Sequence, residues 1–269
     1  MSEIAWRILL FGACFGVLAL LEAWRPRRHR RQTRAIRWRI NAGLLLVDVA
    51  AQRLTLGAAA YLMAMHAESQ GWGLLRLLEW PPGIAAVAGF VLLDLAIYFQ
   101  HVLFHAVPLL WRIHRVHHTD LDLDLSSGFR FHPFEILLSL LYKVALVAAL
   151  GVAPWTVLLF EATLSGAALF SHANLRLGRR LDRWLRLLLV TPDMHRVHHS
   201  VVPAETDSNF GFFLSIWDRL FGTYRDQPEA GHEHMVIGLS DYQAPEKLGL
   251  NGLLGLPFSA TDGRRGRRR

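Results

Sequence analysis

The sequence predicts an all-α, polytopic membrane protein with about four to five membrane segments and a helical cap on the cytosolic side. Three observations predict it. Apolar residues gather in runs of membrane length, charges gather in blocks between those runs, and most of the fourteen histidines cluster just beyond run ends. At 269 residues the chain suits one folded unit, since single cores commonly stop growing at about 250 to 300 residues.

The first apolar run, Ile4 to Trp24, is followed at once by Arg25, Pro26, Arg27, Arg28, His29, Arg30 and Arg31. A signal peptide carries its positive charge before the apolar stretch and ends in a small-residue cleavage site, so this run reads as a retained anchor. The second run, Asn41 to Ala67, contains Asp48, Gln52 and Arg53. It is expected either to span with one polar face towards protein or to form a membrane-embedded hairpin.

Pro81 and Pro82 introduce a third run, Gly83 to Phe104, which stays apolar until Asp94 and the histidines beyond it. Phe134 to Leu150 and Trp155 to Phe170 then form an expected helical hairpin, with Gly151 to Pro154 as its tight turn. If the Arg25 to Arg39 block is cytoplasmic and the second run spans, the loops at 105–133 and 171 onward share the cytoplasmic side with the C-terminus. The expected division is 1–82 as membrane anchor and basic loop, 83–225 as the histidine-bearing part, and 226–269 as an extension with a basic tail.

The net charge of +7 comes largely from arginine between Arg25 and Arg39 and between Arg264 and Arg269. Each block flanks an apolar segment and has little aromatic interleaving, so anionic lipid headgroups are the expected partner and nucleic acid is not. Cys14 is the sole cysteine, which excludes an intrachain disulfide and a thiolate metal cage.

Ten histidines lie between positions 101 and 199, and eight of them form three groups: His101 with His105; His114 with His117 and His118; His195 with His198 and His199. Residues three or four apart share a helix face, so each group can aim several imidazoles at one region. The pentapeptide His-Arg-Val-His-His occurs twice, at 114–118 and 195–199. Clustered imidazoles without a cation would repel one another once protonated. A single tetrahedral zinc needs about four protein ligands, so this many imidazoles implies two metal ions. Imidazole suits zinc, copper, iron and nickel alike, and ligand chemistry alone leaves the metal open. Neither cluster is His-Glu-x-x-His, which removes the usual zinc-protease reading.

These motifs resemble those of the sterol desaturase and fatty acid hydroxylase superfamily of integral-membrane di-iron oxygenases. The likeness covers roughly Asp94 to Tyr224. It includes Asp94-x-x-x-Tyr98-x-x-His101-x-x-x-His105, both pentads, Arg130-x-His132-Pro133, His172-x-Asn174, Thr191-Pro192, Asn209-Phe210-Gly211 and Trp217 to Thr223. The chain has Val102 where the family often has arginine. The resemblance implies two iron ions in a cytosol-facing cap, held by the eight clustered histidines together with His132 and His172, five nitrogens to each iron. It further implies O2-dependent hydroxylation or desaturation of a lipid C–H bond. No Gly-rich dinucleotide or haem motif is present, so electrons are expected from an external donor such as a ferredoxin or a cytochrome-type reductase. A membrane protein that binds metal or lipid without catalysis, and a zinc hydrolase, are the alternatives.

Ligating imidazoles are oriented by acceptors for their second N–H. Asp94, Asn174, Asp193 and Asn209 are the leading candidates, with Asp120, Glu135, Asp207 and Asp218 as further acids. No catalytic side chain beyond the metal centre is expected. His29 and His66 read as interfacial, His232 and His234 as part of a solvated loop, the Asp122 and Asp124 alternation as a short solvated segment, and the aromatics from Phe210 to Tyr224 as packing.

Overall fold

A computed structural model of the chain describes residues 3–260, with side chains from Phe11 onward. The basic tail from Arg264 to Arg269 lies outside the described residues. The elements are α1 (Glu3–Trp24), α2 (Arg34–Thr55), α3 (Ala59–Gln70), α4 (Leu74–Leu77), α5 (Pro82–Ala106), α6 (Pro108–His118), α7 (Pro133–Leu150), α8 (Pro154–His172), α9 (Arg179–Leu185) and α10 (Pro192–His198). Short helical turns complete the chain to Phe258, and pairing outside helices is confined to isolated bridges among the described residues.

Proline opens α5, α6, α7, α8 and α10, where its missing N–H is one the first turn leaves unused anyway. Pro108 also separates α5 from α6, so the two histidine-bearing helices meet at a corner through Val107. Three stretches among the described residues are long and apolar enough to cross a bilayer: 34–77, 82–106 and 133–150.

The second run resolves into two helices. α2 stops at Thr55, Gly57 turns the chain with φ +54°, and α3 continues. Its two ends are held at opposite ends of the helical bundle. Near its start, Arg37 bonds Asp120 and Asp124 beside the histidine groups. Beyond α3, Gly73 meets Gly151 at the turn between α7 and α8. A Cβ on Gly73 would stand 2.3 Å from the Gly151 Cα, so the two backbones touch there, and both glycines have positive φ. The run therefore passes from one end of the bundle to the other and does not return to its starting face.

One apolar cluster packs Leu93 and Ile97 of α5 against Leu140 and Val147 of α7 and Val157 and Phe160 of α8. A second joins Leu44 of α2, Trp111 and Val116 of α6 and Leu253 near the C-terminus. Large apolar side chains such as Leu20, Leu46, Leu54, Val87 and Trp155 remain exposed on the helices, a surface far more apolar than water favours. Val102 joins the partly buried apolar residues around Tyr98, Phe210 and Trp217.

The basic loop differs from the expectation of headgroup contact. Its backbone pairs with the segment after α8, through Arg27 N to Asn174 O at 3.0 Å and Arg176 N to Arg25 O at 2.9 Å. Arg27 reaches Asp193 and Glu233, Arg30 and Arg34 face the buried carboxylate of Glu22, and Arg37 is itself buried. Acidic partners at the histidine end draw these guanidinium groups inward, so this loop and the histidines occupy one end of the bundle.

Asp122 and Asp124 are likewise buried, where a solvated segment was expected. Asp124 caps the 3-10 turn Leu125–Phe129 and pairs with Arg37, while Asp122 accepts from the backbone N–H groups of Arg31 and Gln32 at 2.8 Å. Burial opposes ionisation of Asp120, but Arg37 and then Arg130 hold its carboxyl below the ordinary aspartate range.

Candidate metal centre

Nine of the ten expected ligand histidines converge in two buried groups. His101, His105, His114, His118 and His198 form one; His117, His172, His195 and His199 form the other. Within each group, one ring nitrogen per histidine lies within 4.8 Å of the rest. α5 supplies His101 and His105, the end of α8 supplies His172, and α6 and α10 supply the two pentads.

Helical geometry explains how one pentad serves both groups. At about 100° per residue, positions i and i+4 lie nearly in line while i+3 points to the other side of that line. On α6, His114 and His118 face the five-histidine group and His117 faces the other. On α10 the assignment inverts: His198 joins the five-histidine group, whereas His195 and His199 join the four. The groups touch, with His118 and His199 stacked at 4.6 Å between ring centroids and His117 and His199 at 4.7 Å.

The ring nitrogens are oriented for metal ligation. His101 Nδ1 donates to Phe210 O at 2.8 Å, His198 Nδ1 to Ser208 O at 2.7 Å, and His172 Nδ1 to Ala168 O at 2.7 Å. Donation from Nδ1 leaves Nε2 as a lone pair. The buried Nε2 atoms of His101 and His198 have no hydrogen-bond partner among the described residues. His172 Nε2 lies 3.0 Å from the Nε2 atoms of both His117 and His195, and His199 Nε2 lies 3.2 Å from that of His195. A metal–nitrogen distance of about 2.0–2.1 Å puts neighbouring ligand nitrogens roughly 3 Å apart. The donor set therefore fits two metal ions held by imidazole.

Burial first, then the neighbouring imidazoles, holds His117, His118, His195 and His199 well below the ordinary histidine range. His198 is held there as well, burial again being the largest cause. Neutral rings are the ligating form.

His132 is a correction. Its Nδ1 accepts from Phe134 N at 3.2 Å, capping α7, and its Nε2 lies 3.2 Å from Leu254 O, so the ring belongs to neither group. Pro133 fixes the helix start directly after it, which makes residue 132 the cap. The distribution is five and four histidines, in place of five and five.

Among the described residues, the four leading orienting candidates form hydrogen bonds with partners other than the histidine rings. Asp94 accepts from Trp217 Nε1 at 2.8 Å and Leu214 N at 3.2 Å; Asn174 ties the basic loop through Arg28; Asp193 pairs with Arg27 and Arg196. Asn209 works through the backbone. At φ +53° it bonds Met194 O and both the N–H and the carbonyl of Arg225, and it sits between Ser208 and Phe210, whose carbonyls hold His198 and His101. Asp218 fixes the same loop by accepting from Phe210 N at 2.7 Å and Gly211 N at 2.8 Å.

The carboxylates that do meet ligand rings are Glu135, 2.7 Å from His114 Nδ1, and Asp207, 3.2 Å from His105 Nδ1. Among the aromatics, Phe210 packs edge-on against His101, His105 and His198, and Phe131 stacks on His117 at 4.5 Å. His29, His66 and His234 are exposed, while His232 is buried near Asp193, contrary to the expected solvated loop.

A cavity of about 330 Å³ opens beside the five-histidine group. His101 and His114 form part of its wall, and Ile97, Phe104, Phe129, Leu164 and Phe212 make much of the remainder apolar. Its size and walls suit an apolar chain.

The fatty acid hydroxylase family model matches residues 86–223, which contain all ten expected ligands. The chain is 36% identical over 157 residues to the ornithine lipid hydroxylase OlsE of Rhizobium tropici, covering 56% of this chain and 44% of that protein. It is 30% identical over 171 residues to the alkylglycerol monooxygenase of Homo sapiens, covering 63% and 36% respectively. Against the cholesterol 25-hydroxylase of Rattus norvegicus the identity is 27% over 143 residues, covering 52% and 46%. The matches thus span less than half the length of these curated relatives. No solved structure matches the chain. Half of the chain fits the family model, and the paired histidine groups lie within that half: the chain belongs to the fatty acid hydroxylase family.

Proposed function

We propose that the chain is a multi-pass membrane oxygenase that hydroxylates or desaturates a C–H bond of a lipid, using O2, two iron ions and electrons from an external donor. The observation that carries this reading is the adjacency of an apolar cavity to two touching groups of buried, inward-facing imidazoles. The named relatives are lipid hydroxylases and monooxygenases, which supports the same class.

Two ferrous ions held by these histidines would supply the redox chemistry that reduces dioxygen and breaks an unactivated C–H bond. The protein's own task is placement. His101 and His114 border the cavity, so a chain lying in it has a carbon beside the five-histidine group. Phe104, Phe129 and Phe212 keep water from that carbon. Glu135 and Asp207, with the carbonyls of Ser208, Phe210 and Ala168, hold the rings in ligating orientation. All-nitrogen ligation differs from the carboxylate-rich sites of soluble di-iron bundles and leaves more positive charge on the metals.

Within this reading, α1, α2 with α3, α5, α7 and α8 are the membrane passages. The histidine end faces the cytoplasm, because the Arg25 to Arg39 block lies at that end. Residues 83–225 act as the catalytic part, 1–82 as anchor and basic loop, and 226–269 as an extension. A ferredoxin or cytochrome-type reductase docks on the cap from the cytosol. The test compares lipid extracts of cells expressing the chain with those expressing a His198→Ala variant, by mass spectrometry. A lipid gaining 16 Da or losing 2 Da only with the unaltered chain is expected; identical lipid profiles overturn the proposal.

A further inference from the structure

The cavity wall formed by α2 carries a different chemistry from the histidine side. Leu45, Asp48, Val49 and Gln52 line it at i, i+3, i+4 and i+7, one face of that helix. Asp48 is 5% exposed, and its Oδ1 has no hydrogen-bond partner among the described residues. Of its polar neighbours in the wall, Gln52 donates to Gly57 O at 3.3 Å and Gln100 donates to Ser139 Oγ at 2.6 Å, while Glu135 meets His114 through Oε1 and leaves Oε2 as a second buried oxygen with no hydrogen-bond partner among the described residues. Neither lysine nor arginine is among the lining residues. A buried acceptor left in apolar surroundings is costly, and a donor brought by a ligand offsets that cost.

We propose that Asp48 is a specificity-determining residue that receives a hydrogen-bond donor carried by the lipid, a hydroxyl, an amide N–H or an ammonium group. The substrate class is then a donor-bearing lipid rather than a plain hydrocarbon tail. This deepens the lipid-oxygenase reading and rests on it. Asp48 lies outside the family-matched residues 86–223, so the selectivity belongs to the part of the chain that the family model does not cover. The apolar length of the ligand lies along Phe129, Leu164 and Phe212, and the donor end meets α2.

The test uses the full chain in detergent, loaded with ferrous ion without oxygen, so that binding is read apart from turnover. Hexadecanol, hexadecylamine and hexadecyl methyl ether are titrated, with retention measured by native mass spectrometry. The unaltered chain should hold the alcohol and the amine at least tenfold more tightly than the ether. Asp48→Leu should abolish that preference, and Asp48→Asn should keep the preference for the alcohol while losing any for the amine over the alcohol. Equal retention of alcohol and ether by the unaltered chain overturns the proposal, as does a tenfold preference that survives Asp48→Leu. If the leucine variant does not fold, Asp48→Ala decides, and a tenfold preference for the alcohol over the ether that survives there overturns it. Admitting O2 and reductant to the lipid-loaded chain then tests the oxygenase reading separately: selective binding with no oxidised product contradicts that reading and leaves the role of Asp48 in recognition standing.

Discussion

His114 Nδ1 lies 2.7 Å from Glu135 Oε1, so the first residue of a histidine pentad is steered by a carboxyl on the neighbouring apolar helix α7. The contact joins the histidine groups to the bundle, and both residues border the cavity. Partners of this kind typically contribute 10- to 100-fold to metal affinity. Glu135→Ala should lower ferrous affinity by about that factor, and Glu135→Gln, which can still accept from Nδ1–H, should restore part of it. Anaerobic iron titration with both variants checks this; wild-type affinity in Glu135→Ala would contradict the role.

His132 and His198 should part company on substitution. His198→Ala removes a nitrogen from the five-histidine group and should reduce bound iron. His132→Ala should leave iron content unchanged while costing about 1 kcal/mol from the lost cap of α7. Metal analysis beside thermal unfolding of both variants separates the two roles.

Arg37 is buried with Asp120 and Asp124, and removing one partner of a buried ion pair strands the others. Arg37→Met should destabilise the chain by about 3–5 kcal/mol. The loss should appear as a lower unfolding temperature in detergent, and a melting temperature equal to that of the unaltered chain would show that the cluster contributes little.

Asn209 holds the two carbonyls that orient His101 and His198, in a conformation that glycine adopts more readily than alanine. Asn209→Ala should weaken iron binding about tenfold or more, with Asn209→Gly less affected in backbone but equally deprived of the side-chain bonds to Met194 and Arg225. Iron affinity of the two variants, compared with their melting temperatures, distinguishes lost orientation from general unfolding.

Much of this arrangement was legible in the sequence because it is local. Apolar runs and prolines gave the long helices, and i, i+3, i+4 spacing gave the convergence of the pentads. The partition of each pentad between two groups was not legible, since it depends on how α6 and α10 face one another. The acceptors for the ligand rings were mostly hidden because several are backbone carbonyls, at Ala168, Ser208 and Phe210, which carry no residue-type signal. His132 shows the converse: a histidine in a family motif, at the right distance along the chain, spent on a helix start. The inward turn of Arg27, Arg30 and Arg37 required knowing that the buried Glu22, Asp120 and Asp124 and the partly buried Asp193 lie opposite them. Asp48 was visible as a polar residue in an apolar run, but its place in the cavity wall depends on the packing of α2.

Metal content and ligation of the purified chain, after anaerobic loading with ferrous ion and removal of excess, test the paired site most directly. Two ions per chain with a nitrogen-dominated coordination shell by X-ray absorption are expected. A single ion per chain at saturation, or a shell dominated by oxygen ligands, would contradict two histidine-built metal sites side by side.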